Sequence, residues 1–283
     1  MLLLSFALPL ADWTELAIPV GMILAMVVLI TVIVIVSERN KRKRQAAVRA
    51  FCESRGLTFA EKTEGPERFR EREIAKRGHT QWADNVISGD TQAVDLWLFD
   101  WNTVSGSGKN RTHTRTSVAF IEADDLHLPE LTLYREGFWS RIGSLVGFQD
   151  IDFDEDPAFS KAYVLKGTRE ETVRRFMDEE LRAFLVQQPT GRRLEGFPRG
   201  LVVMRESLVD PAQLDDFFAE AFSYLKAFRA AAERRRERGE SEPATESAAV
   251  DDDGIDDRLH DGTRGRDSHE AEDDVWGDTG PRL

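Results

Sequence analysis

The sequence predicts an α+β fold, in which one N-terminal transmembrane helix is followed by an antiparallel-sheet domain with packed helices. Three observations predict it. A single long uncharged apolar run stands near the N-terminus, alternating apolar strands fill residues 80–135, and helical stripes flanking a hairpin fill residues 168–238.

The apolar run is LAIPVGMILAMVVLITVIVIV, Leu16 to Val36, 21 residues without a charge. At about 1.5 Å rise per residue it measures about 31 Å, enough for a hydrocarbon core of about 30 Å. It is apolar all round, whereas the helix of a soluble core keeps a polar face. Residues 1–15 lack Lys and Arg and no small-residue cleavage site follows Val36, unlike a secretory signal. The reading is a retained span over 16–36 behind a short extracytoplasmic N-terminus, 1–15.

Five of the eight residues from Ser37 to Arg44 are Lys or Arg. This asymmetry orients a single-pass protein of the cell membrane with its N-terminus outside and everything after residue 37 in the cytoplasm. The collar begins a basic juxtamembrane helix, 37–56. Its stripe is Ala47, Val48, Phe51 and Cys52, and Gly56 stands where a C′ glycine stops a helix. The one cysteine excludes an internal disulfide framework and every CxxC site. On that stripe Cys52 reads as a small buried apolar residue, reduced in the cytoplasm.

A cytoplasmic α+β domain is expected over 57–238. Leu57–Lys62 reads as a short strand and Pro66–Lys76 as a charged helix or loop. Trp82–Ile87, a turn at Ser88-Gly89-Asp90, and Ala93–Trp101 follow a strand–turn–strand pattern. The second of these strands is apolar on both faces, as in a central strand covered on two sides. A flexible polar loop, Ser105–Arg111, leads to strands near 114–121 and 128–134, then to a short helix around 138–146. Ile151 and Phe153 alternate with aspartates as in a strand, and Tyr163–Lys166 is strand-like. Thr168 and Glu171 have capping-box spacing ahead of one helix reaching Gln187, with a stripe of Val173, Phe176, Met177, Leu181, Phe184 and Leu185. A hairpin, 193–197 and 201–204, precedes a long helix capped by Asp210 with Pro211 at its first position. That helix has a stripe of Leu214, Phe217, Phe218, Ala221, Phe222, Leu225 and Phe228.

The net charge of −13 is unevenly spread. Residues 239–283 hold 15 acids against 4 bases, so the remaining 238 residues carry only −2. Poor in apolar residues, this acidic tail is expected to be disordered, because it cannot offset about 1–2 kcal/mol of backbone entropy per residue. Overall acidity argues against nucleic acid as a partner, since backbone binding relies on Lys and Arg.

Gly106-Ser107-Gly108-Lys109-Asn110 imitates a phosphate-binding loop, but Thr103 stands where the first glycine belongs and Asn110 replaces the metal-binding hydroxyl. The loop's cations remain: Lys109, Arg111, His113 and Arg115 are the candidate binding residues. His113 and Arg115 share a strand face, suited to a phosphate, an anionic headgroup or an acidic partner segment. The commoner role of such residues is to protect a solvated strand edge. Asp150-Ile151-Asp152-Phe153-Asp154 begins like a calcium loop, yet Glu155 and Lys161 occupy the positions that need Gly and Glu. The five histidines are scattered without zinc spacing, and no GxSxG elbow is present. No metal, cofactor or catalytic residue is assigned.

The segments FDWNTVSGSGKNRTHTRTSVAF, LHLPELTLYRE and DIDFDEDPAFSKAYVLKG resemble a group of prokaryotic membrane-anchored proteins without an assigned activity, across about residues 80–230. In that group a span or two precedes a soluble α+β domain. The Asp100-Trp101 pair departs from the group's aspartate–tyrosine. The resemblance implies a membrane-anchored domain and no chemistry. The function expected is therefore binding or scaffolding on the lipid bilayer, toward anionic headgroups or a protein partner. A membrane-tethered hydrolase using carboxylates near Asp150–Asp156 is the alternative.

Overall fold

A computed structural model describes residues 13–76, 78–90, 93–135 and 149–239. The helix expected at 138–146 and the acidic tail beyond Gly239 lie outside these residues, as does most of 1–15.

Helix α1 runs unbroken from Trp13 to Arg55, joining the apolar run, the basic collar and the Val48–Cys52 stripe. Gly56, at φ +66°, ends it in the left-handed conformation expected of a C′ glycine. The chain then forms β1 (Thr58–Thr63), a single turn α2 (Glu67–Arg70), β2 (Thr80–Asp90), β3 (Asp95–Ser105) and β4 (Thr112–Glu122). Next come β5 (Leu131–Tyr134), β6 (Gln149–Asp150), α3 (Pro157–Ala162), β7 (Val164–Gly167), α4 (Glu170–Phe176) and α5 (Glu179–Val186). Hairpin strands β8 (Arg192–Phe197) and β9 (Gly200–Arg205) precede α6 (Leu214–Glu237). The strands form one sheet in the order β1-β2-β3-β4-β9-β8-β5-β7-β6, with every pairing antiparallel.

Both faces of the sheet are covered, as the doubly apolar β3 requires. On one face Val48 and Cys52 of α1 join Phe159, Phe176, Leu181, Phe217, Tyr224 and Phe228 of the later helices over Leu98, Ala119, Ile121 and Val203. On the other, Phe69 and Ile74 pack on Phe99, Trp101, Val118 and Phe120. The Phe69 ring lies 5.0 Å from both Phe99 and Trp101, edge-on. Each such buried side chain stabilises by about 1.5–3 kcal/mol.

Several local expectations need correction. Ser88-Gly89-Asp90 is no turn: these residues extend β2 and pair with Trp97, Leu96 and Asp95. The helix expected to reach Gln187 is two, broken at Met177–Asp178, where Asp178 accepts from Leu181 N and caps α5. Thr168 forms no capping box, because Arg169 holds the N-cap position of α4 without a side-chain cap bond. Ile151 and Phe153 are buried but lie outside any strand. On α6 Phe222 is 42% exposed, and Tyr224 occupies the core in its place.

Candidate functional site

The junction between α1 and the sheet is built on a buried carboxylate. Alternation along β3 puts Asp100 on the same face as Leu96 and Leu98, and it is only 3% exposed. A buried charge is costly unless paired and hydrogen-bonded, and here it is both. Arg44 grips it through two parallel bonds, Nε to Oδ2 and Nη2 to Oδ1, each 2.8 Å. Asn85 Nδ2 donates to Oδ2 at 2.7 Å and Ser117 Oγ to Oδ1 at 3.0 Å. Arg44 Nη1 also donates to Val209 O at 2.6 Å, and Val209 N donates to Ser117 Oγ at 2.9 Å.

The backbone is bent to allow this. The β2 register shifts between Asp84 and Ile87, and Asn85 within that bulge has φ +53°. Asparagine tolerates the left-handed region better than most residues and brings an amide to the carboxylate. In the sequence Arg44 is one of five cations of the collar, and nothing local marks it as the partner of Asp100. The available signal was an acid on the apolar face of DLWLFDW, which demands a cation from elsewhere in the chain.

Register fixes the direction in which α1 leaves the sheet. Phe59, Ile87 and Leu98 share one row across β1, β2 and β3, and Lys62, Asp84 and Asp100 share a later one. Arg49 stacks on Phe59 at 5.1 Å, whereas Arg44 reaches Asp100. Stepping back along α1 toward its apolar half therefore matches stepping forward along β3 toward the β3–β4 hairpin. From Arg44 back to Val36 is about 12 Å of helix. From Asp100 forward to Ser105 is about 16 Å of strand. The hairpin tip thus lies on the same side of the Arg44–Asp100 anchor as the apolar run.

The four residues singled out from sequence lie at this tip. It is a formed turn: Gly106 has φ +74°, Gly108–Asn110 make one turn of 3-10 helix, and His79 Nε2 donates to Gly106 O at 2.9 Å. Lys109 and Arg111 are exposed on the turn, and His113 and Arg115 follow on the β4 face toward α1. His113 Nε2 lies 3.2 Å from Asn102 Oδ1, and its ring is 5.4 Å from that of Trp82. Trp82 donates through Nε1 to Asp84 at 3.1 Å and has Lys62 Nζ 5.1 Å from its ring. Among the described residues, Lys109, Arg111 and Arg115 pair with no carboxylate. Sequence clustering had not placed Trp82 and Lys62 beside these cations.

Of the acids of 150–156, Glu155 and Asp156 share Arg182, while Asp150 is held apart by Lys166. Asp156 caps α3 through Phe159 N and binds Arg182 Nε at 2.9 Å. That guanidinium, helped by the amide, holds its carboxyl below the usual range. Asp150 pairs with Lys166 at 3.0 Å. Among the described residues no three His, Cys, Asp or Glu side chains are grouped to hold a metal ion. Burial pushes the Cys52 thiol up, away from thiolate chemistry.

An open cleft of about 400 Å³ lies at the opposite end of β3 and β4, lined by Arg68, Asp95, Glu122, Asp124, Asp125 and Arg199. Its cations are already paired, Arg68 with Glu122 at 2.8 Å and Arg199 with Asp124.

Against known proteins, no family model and no curated protein matches the sequence. Among solved structures, the crystal structure of the mycobacterial trehalose monomycolate transport factor A, TtfA, is similar at 12% sequence identity, over 67% of this chain and 94% of that one, with a TM-score of 0.48.

Proposed function

We propose that this chain is a single-pass membrane protein whose cytoplasmic α+β domain works by binding or scaffolding at the bilayer surface. One observation carries the reading. The large apolar residues from Val20 to Val36 are 47–69% exposed, while the same helix a few turns later buries Val48 and Cys52 in the domain core. Leaving such side chains in water forfeits about 1.5–3 kcal/mol each, and a bilayer removes that cost. With the basic collar at its exit, α1 takes the orientation with the N-terminus outside the cell membrane.

Binding is supported over hydrolysis by the way the acids are used. Asp156 and Glu155 share Arg182, and Asp150 pairs with Lys166, so these three acids are taken up by cations. The test is extraction and topology of the full chain. It should stay with membranes through alkaline carbonate washing, and its domain should resist protease in intact spheroplasts and be digested after lysis. Release by carbonate, or digestion from outside, would overturn the reading.

A further inference from the structure

We infer that the β3–β4 hairpin is a second membrane contact, in which Lys109, Arg111 and Arg115, with Lys62 and Trp82 beside them, lie against anionic lipid headgroups. The inference rests on the proposal that α1 crosses the bilayer, and adds to it a surface and a lipid class. Three features point to it.

The first is position. Arg44 fixes α1 to Asp100, and from that point helix and strand travel in the same sense over similar lengths. A bilayer that accepts the apolar run as far as Val36 therefore lies on the hairpin side of that anchor, the side toward which the tip points. The second is charge without partners. The chain has 51 acids against 38 Lys and Arg, yet Lys109, Arg111 and Arg115, like Arg39, Lys41, Arg42 and Lys43 of the collar, pair with no carboxylate among the described residues. The acids nearby are engaged or few: Asp84 accepts from Trp82 and Asn102, Asp100 is enclosed, Glu61 pairs with Arg49, and Asp210 caps its own turn. Glu38 is the one acid inside the collar. The third is Trp82, a half-buried indole whose N–H is satisfied internally and whose ring carries Lys62. Such amphipathic rings favour the level of the headgroups. Collar and hairpin together supply seven exposed cations on the same side of the Arg44–Asp100 anchor, suited to many phosphates held in a plane.

The experiment uses the full chain reconstituted in vesicles, with a fluorophore on Ser107→Cys at the hairpin tip or on Asp95→Cys at the far end of β3. Buried Cys52 is shielded from the label. Lipids with nitroxide headgroups serve as quenchers. In low salt, where screening is weakest, quenching at position 107 should be at least about threefold stronger in vesicles with about 30% phosphatidylglycerol than in phosphatidylcholine alone. Position 95 should stay unquenched in both. Combining Lys109→Ala, Arg111→Ala and Arg115→Ala should return position 107 to the phosphatidylcholine level, and so should about 0.5 M salt. Equal quenching in both lipids, unmoved by the three substitutions, would overturn the proposal. A tip quenched only after residues 240–283 are removed would also overturn it, by making that acidic segment the occupant. Co-flotation of every variant with vesicles reads the anchor separately. Loss of flotation defeats the membrane reading itself, whereas flotation without quenching defeats only the hairpin contact.

Discussion

The two ends of the sheet use charge in opposite ways. At the far end every cation of the cleft region already has a carboxylate: Arg68 has Glu122, Arg199 has Asp124 and Arg229 has Asp125. At the hairpin end one carboxylate, Asp100, is enclosed by Arg44, Asn85 and Ser117, and among the described residues the exposed Lys109, Arg111 and Arg115 outside it pair with none. The difference separates two jobs that net charge merges. An enclosed pair fixes structure, because breaking it strands a charge in a poorly solvated place. An exposed cation without a partner contributes little to stability and is available to anions from outside. Exposed pairs at the far end do neither strongly.

The largest effect should come from Asp100→Ala, which leaves the Arg44 guanidinium, the Asn85 amide and the Ser117 hydroxyl without their acceptor. Urea unfolding of the detergent-solubilised chain should show a loss of about 3–5 kcal/mol, with Arg44→Ala close behind. A loss below about 1 kcal/mol would put Asp100 on a level with the surface pairs and break the comparison.

An intermediate effect is expected at Asp178, which joins α5 to the end of α6. Burial pushes its carboxyl up, but two bonds from Arg234 and one from Leu181 N outweigh that and hold it below the usual range. A folded-state value lower than the unfolded one means its contribution is present at neutral pH and is lost as pH falls from about 4 through the lowered value. Asp178→Asn keeps a capping oxygen but removes the charge that Arg234 grips, so it should cost about 1 kcal/mol at neutral pH and flatten that part of the acid-unfolding curve. A curve as steep as the parent's would assign the acid sensitivity to other groups. The smallest effect belongs to Arg199→Ala, whose pair with Asp124 is 53% and 88% exposed. Thermal unfolding should move by less than about 0.5 kcal/mol equivalent, and a larger loss would show that the far-end pairs also hold structure.

Much of this architecture was legible because period is local. The apolar run, the strands from Leu57 to Tyr134 and the 192–205 hairpin each announce themselves within about ten residues, whereas Asp210 and Pro211 open a 3-10 turn over Pro211–Gln213 and the long helix itself begins at Leu214. Errors arose where two local signals competed. The stripe from Val173 to Leu185 keeps helical spacing across the break, so it hid the N-cap that Asp178, followed by Glu179 and Glu180, was advertising. Ser88-Gly89-Asp90 has turn composition, yet Gly89 lies within β2 for a packing reason: a Cβ there would come within 2.5 Å of Leu57 Cδ2. The hairpin cations were visible as a cluster, but that they lie on the same side of the Arg44–Asp100 anchor as the apolar run follows only from register. The Arg44–Asp100 pair spans 56 residues, and no window along the chain contains both.

One feature of α1 has a mechanical consequence. Between Met22 and Arg55 it contains neither Pro nor Gly, so no usual hinge separates the apolar run from the guanidinium clamped into the sheet. The helix is then a lever, and the domain turns with it. Spans lean by about 20° on average and lean further in thinner bilayers. About 28 Å of helix lies between Val36 and Arg55, and a 20° lean carries its far end about 10 Å sideways. With α1 crossing the bilayer as proposed, the same lean would lift or lower the β3–β4 tip against the membrane plane, so that bilayer thickness itself would set how firmly the domain touches down.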